Sequence, residues 1–254
     1  MLTDSHAHLQ WKDFDADRLQ VVDRALQSGV NCIINIGYNL NGSQDAVRLA
    51  TERKGLYATV GFHPHEAKNF DDNAVSFLRT LCRSPPVVAI GEIGLDYYRN
   101  LSPKPVQRKA FEAQINLARE MDLPIVVHDR DAHQEVLQTL KNCRGKIRGV
   151  IHCFSGSLEM ARQCVGLQFM ISIAGPVTFP NARKLHELAK EIPLNHLLLE
   201  TDCPWLAPLS KRGRRNEPAY VFEIAEKIAK IRNMSLEDLA KATSDNAKRL
   251  FGIS

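Results

Sequence analysis

The chain is poor in paired cysteine motifs. Cys32, Cys82, Cys143, Cys153, Cys164 and Cys203 form no CxxC and no CxxCH, which argues against a thiolate zinc site, a thioredoxin-type redox pair and covalent haem attachment. At 254 residues the chain is too long to depend on a disulfide scaffold, so reduced thiols are expected. No apolar run approaches the ~18 residues that a bilayer span needs, and the opening residues lack a basic stretch followed by an apolar one. A cytoplasmic protein with no membrane partner is therefore expected. Neither sign of charge dominates: 33 Lys and Arg stand against 29 Asp and Glu, a balance of +4. That permits an anionic substrate without implying a surface coated for nucleic acid. Low-complexity segments and interior linkers are missing as well, while 44% apolar and 24% charged residues suit a packed globular chain.

What is present is an alternation. Short runs rich in β-branched residues at 2–9, 30–37, 56–61, 86–91, 123–128, 148–153, 168–175 and 196–201 read as eight strands. Amphipathic stretches lie between them at 17–29, 43–53, 72–82, 106–120, 132–142, 158–166, 182–191 and 219–231. The first of these ends on Gly29 as a C-cap, and 106–120 places Phe111, Ile115 and Ala118 on one face. Strands alternating with helices require right-handed crossovers and a parallel sheet covered on both faces, which explains runs that are apolar throughout. No GxGxxG follows the first strand and no P-loop appears, so an open doubly wound sheet is disfavoured. The expected architecture is an α/β fold, a (β/α)8 TIM barrel forming a single domain over 1–254. One or two further helices, at 235–243 and 245–252, complete it, and a monomer is expected.

In such a barrel the C-terminal strand ends face one mouth, so polar residues there are the ones to collect. Asp4, His6 and His8 alternate at the end of the first strand and share a side of the backbone. The third, fourth, fifth, sixth and eighth strands end in 61-GFHPH-65, 91-GEIGLD-96, 128-HDR-130, 152-HCFSG-156 and 200-ETDCPW-205. A lone buried histidine or aspartate is commonly a satisfied structural group, but so many at one edge point to joint use. His6, His8, Glu92, His128, His152 and Asp202 supply nitrogen and oxygen donors for two divalent ions, with Glu92 as the bridge. Strand alternation turns Cys153 and Cys203 away, leaving no thiolate ligand.

These motifs, together with 4-DSHAHL-9, 89-AIGEIGLDYY-98, 124-PIVVHDRDA-132, 150-VIHCFSGS-157, 199-LETDCPWLAP-208 and 213-GRRNEPAYV-221, resemble the TatD-type metal-dependent deoxyribonucleases of the amidohydrolase-like barrels. The resemblance covers essentially the whole chain. It implies metal ligands at His6, His8, Glu92, His128, His152 and Asp202, with His63 and Glu200 close to the metals. Where related amidohydrolases bridge with a carboxylated lysine on the fourth strand, this chain offers Glu92. The implied reaction is phosphodiester hydrolysis of DNA by two ions (Mg2+, Mn2+ or Zn2+), as a 3′→5′ exonuclease on single-stranded or damaged ends with an accessible 3′ terminus. Asp202, Glu92, Glu200 and His63 are its candidate catalytic groups.

Arg99, Arg130, Lys211, Arg212, Arg214 and Arg215 fall in or near loops at the mouth, where they are candidates for holding phosphate. The resemblance tilts Arg215 and Asn216 toward the substrate, although helix capping explains Asn216 as well. Trp205, Tyr97 and Tyr98 adjoin ligand strands and are candidates to stack an unpaired base or to pack the rim. Two other readings stay open: hydrolysis of a small amide, lactone or phosphoester on the same scaffold, and a non-catalytic metal-binding module.

Overall fold

The computed structural model describes residues 1–253. Along the chain run β1 (Leu2–Ala7), α1 (Arg18–Gln27), β2 (Val30–Ile36), α2 (Leu40–Glu52), β3 (Leu56–Val60) and α3 (Asp72–Leu81). They are followed by β4 (Val87–Asp96), α4 (Lys104–Glu120), β5 (Ile125–Arg130), α5 (His133–Asn142), β6 (Gly149–Ile151) and α6 (Leu158–Gly166). The last part holds β7 (Phe169–Ile173), α7 (Arg183–Glu191), β8 (Leu197–Leu199), α8 (Val221–Arg232) and α9 (Leu236–Phe251). The eight strands form one parallel sheet in the order β1 to β8, the (β/α)8 barrel expected from the sequence.

Local chemistry sets the helix boundaries. Asn39, Asp71, Ser157 and Ser235 each accept a hydrogen bond from a first-turn backbone N–H and so start α2, α3, α6 and α9. The Asn39 cap starts α2 three residues before the expected 43. Gly29 lies just past α1 at φ +82°, a left-handed position that an L side chain rarely adopts. Residues 235–252 form a single helix because nothing at Thr243–Ser244–Asp245 breaks it; the Thr243 hydroxyl donates to the Leu239 carbonyl.

The inner face of the barrel changes character along its axis. At the lower level Ile34, Val126, Val150 and Leu198 pack with Leu250 and Phe251 of α9, which plugs that end. Each fully buried side chain of this kind contributes about 1.5–3 kcal/mol. Two residues further along three of these strands, on the same face, stand His128, His152 and Glu200. The alternation that builds the apolar floor therefore aims the polar set into the mouth.

Candidate metal centre

The barrel closes at its mouth between the end of β1 and the segment after β8. The Asp202 N–H donates to the His6 carbonyl (2.9 Å), and the His8 N–H donates to the Cys203 carbonyl (2.9 Å). Asp4 reinforces this seam by accepting from the Thr201 backbone N–H (2.9 Å) and hydroxyl (2.6 Å). Closure thus brings His6, His8 and Asp202 together from opposite ends of the chain. His6 Nε2 and His8 Nε2 lie 3.1 Å apart. Glu92 Oε2 is 3.6 and 3.7 Å from them, and Asp202 Oδ1 is 3.6 Å from each. Donors bound tetrahedrally at about 2.0–2.2 Å stand about 3.3–3.6 Å apart, so the seam set has the spacing of a cation site. The Ile36 carbonyl, 3.1 Å from His8 Nδ1, can only accept. It fixes the proton on Nδ1 and leaves a bare lone pair on Nε2, the arrangement a metal-binding histidine needs.

The other oxygen of Glu92 faces the opposite wall. Oε1 lies 2.8 Å from His128 Nδ1, 2.8 Å from His152 Nε2 and 3.5 Å from His63 Nε2. His128 Nδ1 is itself 3.3 Å from both His152 Nε2 and His63 Nε2. Behind this wall Asp96 Oδ2 approaches His128 Nε2 (3.2 Å) and His65 Nε2 (2.8 Å). Glu200 Oε1 lies 3.5 Å from His152 Nδ1 and accepts the Cys153 N–H at 2.6 Å. His152 borders both sets, since its ring stacks on His6 with centroids 3.9 Å apart and its donors group with those of His6 and Asp202. Gly94, at φ +141°, lets the β4 backbone pass the His128 carbonyl so closely that a Cβ there would lie 2.0 Å from its oxygen.

This concentration of acceptors is charged as well as buried. Burial opposes charge on Glu92, but His152 and His63 outweigh it and hold its carboxyl well below the usual range. Burial likewise works against the cationic forms of His128 and His152. Asp96 and Glu92 raise the first, however, and Glu92 and Glu200 hold the second well above its ordinary value. His8 goes the other way, lowered to about 3 by burial and by His6. Burial pushes the Asp202 carboxyl up to about 6 against the pull of His6 and His152. His6 Nδ1, His152 Nδ1 and Glu200 Oε2 are buried without hydrogen-bond partners among the described residues. Overlapping groups of three donors (His6, His8, Glu92; His6, His152, Asp202; His63, Glu92, His128) can each hold an ion. A donor set of imidazole nitrogens and carboxylate oxygens, with no thiolate, fits divalent cations.

The remaining sequence candidates are placed differently. Arg215 is committed to the molecule itself: it donates to both Asp17 carboxylate oxygens (2.7 Å each), to Glu217 (2.9 Å) and to the Asp13 carbonyl (2.6 Å). The Asn216 amide is buried and donates to the carbonyls of Thr201 (2.8 Å) and Trp205 (2.6 Å), while its oxygen accepts the Glu217 N–H (3.0 Å). Charge partners on a distant segment and carbonyls in the same loop take these donors, and the expected role of the two residues in holding phosphate stays a proposal. Arg99 and Arg130 are exposed at the ends of β4 and β5, with Arg130 over the Tyr98 ring at 4.7 Å. Strand alternation does not govern Cys153, which lies beyond β6 at φ +42°. The residue is half-buried, and its thiol is pushed well up by desolvation and by the charges of Glu200, Asp202 and Glu92. No cysteine joins the donor groups of the described residues. Asp96 is a support that the ligand pattern does not single out, although it shares the Glu92 face of β4 by the period of two.

A parallel eightfold barrel with a histidine–carboxylate cluster at its C-terminal mouth fits a metal-dependent hydrolase, and the family and relatives that the chain matches make it one that acts on ester bonds. The chain belongs to the TatD-related DNase family, whose model matches residues 3–252. It is 44% identical, over the full length of both chains, to the uncharacterized metal-dependent hydrolase YabD of Bacillus subtilis. It is 40% identical to the 3′-5′ ssDNA/RNA exonuclease TatD of Klebsiella pneumoniae, over 98% of this chain and 97% of that one. The crystal structure of the TatD homologue YJJV of Escherichia coli superposes with a TM-score of 0.94 at 30% identity, covering 100% of this chain and 98% of that chain.

Proposed function

We propose that the protein is a two-metal deoxyribonuclease that removes nucleotides 3′→5′ from single-stranded or damaged DNA ends. We further propose that it acts in the cytoplasm as a monomer built of one domain. The observation that carries the reading is Glu92, whose two oxygens face two different histidine groups, the arrangement a bridging carboxylate needs. His6, His8 and Asp202 would hold one ion and His128 and His152 the other, with Glu92 shared and His63 at the rim. At these residues Mg2+, Mn2+ or Zn2+ would supply Lewis-acid charge to a phosphoryl oxygen and would lower the pKa of water toward neutrality.

The chain's own groups carry the rest. Asp202 faces His6 and His8, and its raised pKa suits an Oδ that takes a proton from the attacking water. Asp96 orients His128 so that its metal-facing nitrogen stays in place, and Glu200 sets a negative charge beside His152. Arg99, Arg130, Arg212 and Arg214 are exposed and are assigned to substrate phosphates. The name of the Klebsiella relative supports single-stranded nucleic acid as the substrate class. The test is a gel of end-labelled single-stranded, double-stranded and abasic DNA, incubated with Mg2+, Mn2+ or Zn2+ and with EDTA. Metal-dependent shortening from the 3′ end is expected. Intact DNA under every metal, alongside turnover of a small ester or amide, refutes the reading.

A further inference from the structure

The metal cluster borders a set of aromatic rings that the proposed reaction leaves without a role. Trp205 follows Asp202 by three residues in the loop after β8, and its backbone N–H donates to the Asp202 carbonyl at 3.0 Å. The residue is 42% exposed, and its ring meets His8 at a centroid distance of 5.2 Å and 67°. Trp11 lies 5.1 Å from Trp205 at 67° and 5.0 Å from Tyr38 at 58°. Tyr38 returns to His8 at 6.0 Å and 64°. The four rings form a closed cycle of steeply inclined contacts. An edge-to-face contact occupies the edge of one ring and one face of the other, so four contacts cover at most four of the eight faces. Of the four rings only Trp205 is exposed, so it is the one that can offer a face within one ring of the metal-facing Nε2 of His8.

The chain fixes this group instead of leaving it to the loop. The Asn216 amide donates to the Trp205 carbonyl, and Arg215, bonded to Asp17 and Glu217, ties the same loop to the start of α1. The loop also carries the exposed cations Arg212 and Arg214. Aromatic faces beside a cation-binding centre and basic residues match a planar base joined to a phosphodiester. The two tyrosines at the end of β4 are occupied elsewhere: Tyr97 donates to Glu135 beneath Lys104, and Tyr98 lies under Arg130.

We propose that Trp205, buttressed by Trp11 and Tyr38, stacks the base of the 3′-terminal nucleotide and so seats the adjoining phosphodiester at the Glu92 centre. This rests on the nuclease reading given above. It makes an unpaired end a requirement of recognition, because a base paired in a duplex cannot offer its face to the plate. Every unmodified base has a π-face, so the subsite selects for the presence of a base more than for its identity.

Trp11 and Trp205 are the only tryptophans in the chain, so indole fluorescence reports on this corner alone. The metal-loaded protein is mixed in a stopped-flow instrument with a short oligothymidylate bearing phosphorothioate linkages. The comparison strand is identical except that its 3′-terminal nucleotide is abasic. The strands carry the same number of backbone charges, so an affinity difference isolates the base. Quenching by the complete strand is expected at concentrations roughly 5- to 150-fold lower than by the abasic one, the range for one stacked base. With ordinary linkages the same ratio is expected in KM, with kcat changing less. Trp205→Phe keeps part of the discrimination and Trp205→Ala removes it; the comparison of strands on the unaltered protein stands even where Trp205→Ala does not fold. Equal titrations and equal KM for the two strands overturn the subsite while leaving the nuclease in place. Failure to cleave either strand overturns the nuclease reading itself.

Discussion

The seam of the barrel and the wall facing it present donors to the same carboxylate in different ways. At the seam, His6, His8 and Asp202 stand 3.1–3.6 Å apart, and His8 is oriented by a backbone carbonyl, that of Ile36. At the wall, His128 and His152 approach Glu92 to 2.8 Å and are backed by the carboxylates Asp96 and Glu200. A backbone carbonyl fixes a tautomer without adding a formal charge, whereas a carboxylate also draws a proton onto the ring. The seam is therefore already spaced for a cation with His8 uncharged, and the wall favours protons that a cation must displace.

The largest effect expected from breaking this contrast is at the seam. Asp202→Asn keeps the shape but removes a ligand charge and the proton acceptor, so turnover should fall by about 10²–10⁴-fold with little change in melting temperature. Near-normal rates in a steady-state assay would assign Asp202 to structure. At the wall, Asp96→Asn should weaken binding of one ion by about 10–100-fold and leave the other nearly untouched. Competition with a chelator reads the two affinities separately, and equal weakening of both would merge the two regions.

The pH dependence should differ between the regions as well, and the sign follows from the direction of each shift. His128 and His152 are raised, so a wall ion displaces protons and its affinity climbs with pH, by up to about tenfold per pH unit for each proton released. His8 is lowered to about 3 and is already neutral near pH 7, while Asp202, raised to about 6, becomes protonated below that value. Seam affinity should therefore drop below pH 6 as Asp202 takes a proton, with no proton released from His8. Calorimetric titrations in buffers of different ionisation enthalpy count the protons released, and identical profiles for the two ions contradict the contrast.

Both regions are largely legible in the amino-acid sequence. Period-two alternation along Val126–His128 and Val150–His152 announces an apolar floor beneath a polar mouth, and the barrel rule states which end is the mouth. Asp96 is readable by the same parity with Glu92, but a carboxylate that touches histidines and not the centre gives no sign of its own in a ligand pattern. Other features depend on partners far away in the chain. Nothing local to Arg215 reveals that Asp17, 198 residues earlier, occupies its guanidinium. Trp11 and Tyr38 lie in loops after different strands, where no periodicity relates them to Trp205. The left-handed backbone at Cys153 ends the alternation that would place its thiol, and backbone conformation of that kind is not written in side-chain pattern.

The bridge joins the two regions and is the most directly testable part. Protein equilibrated with excess divalent ion, desalted and assayed for bound metal by elemental analysis should hold two ions per chain, and Glu92→Ala should hold no more than one, because both groups lose the same ligand. Two tightly held ions in Glu92→Ala, with unimpaired turnover, would contradict a Glu92-bridged pair.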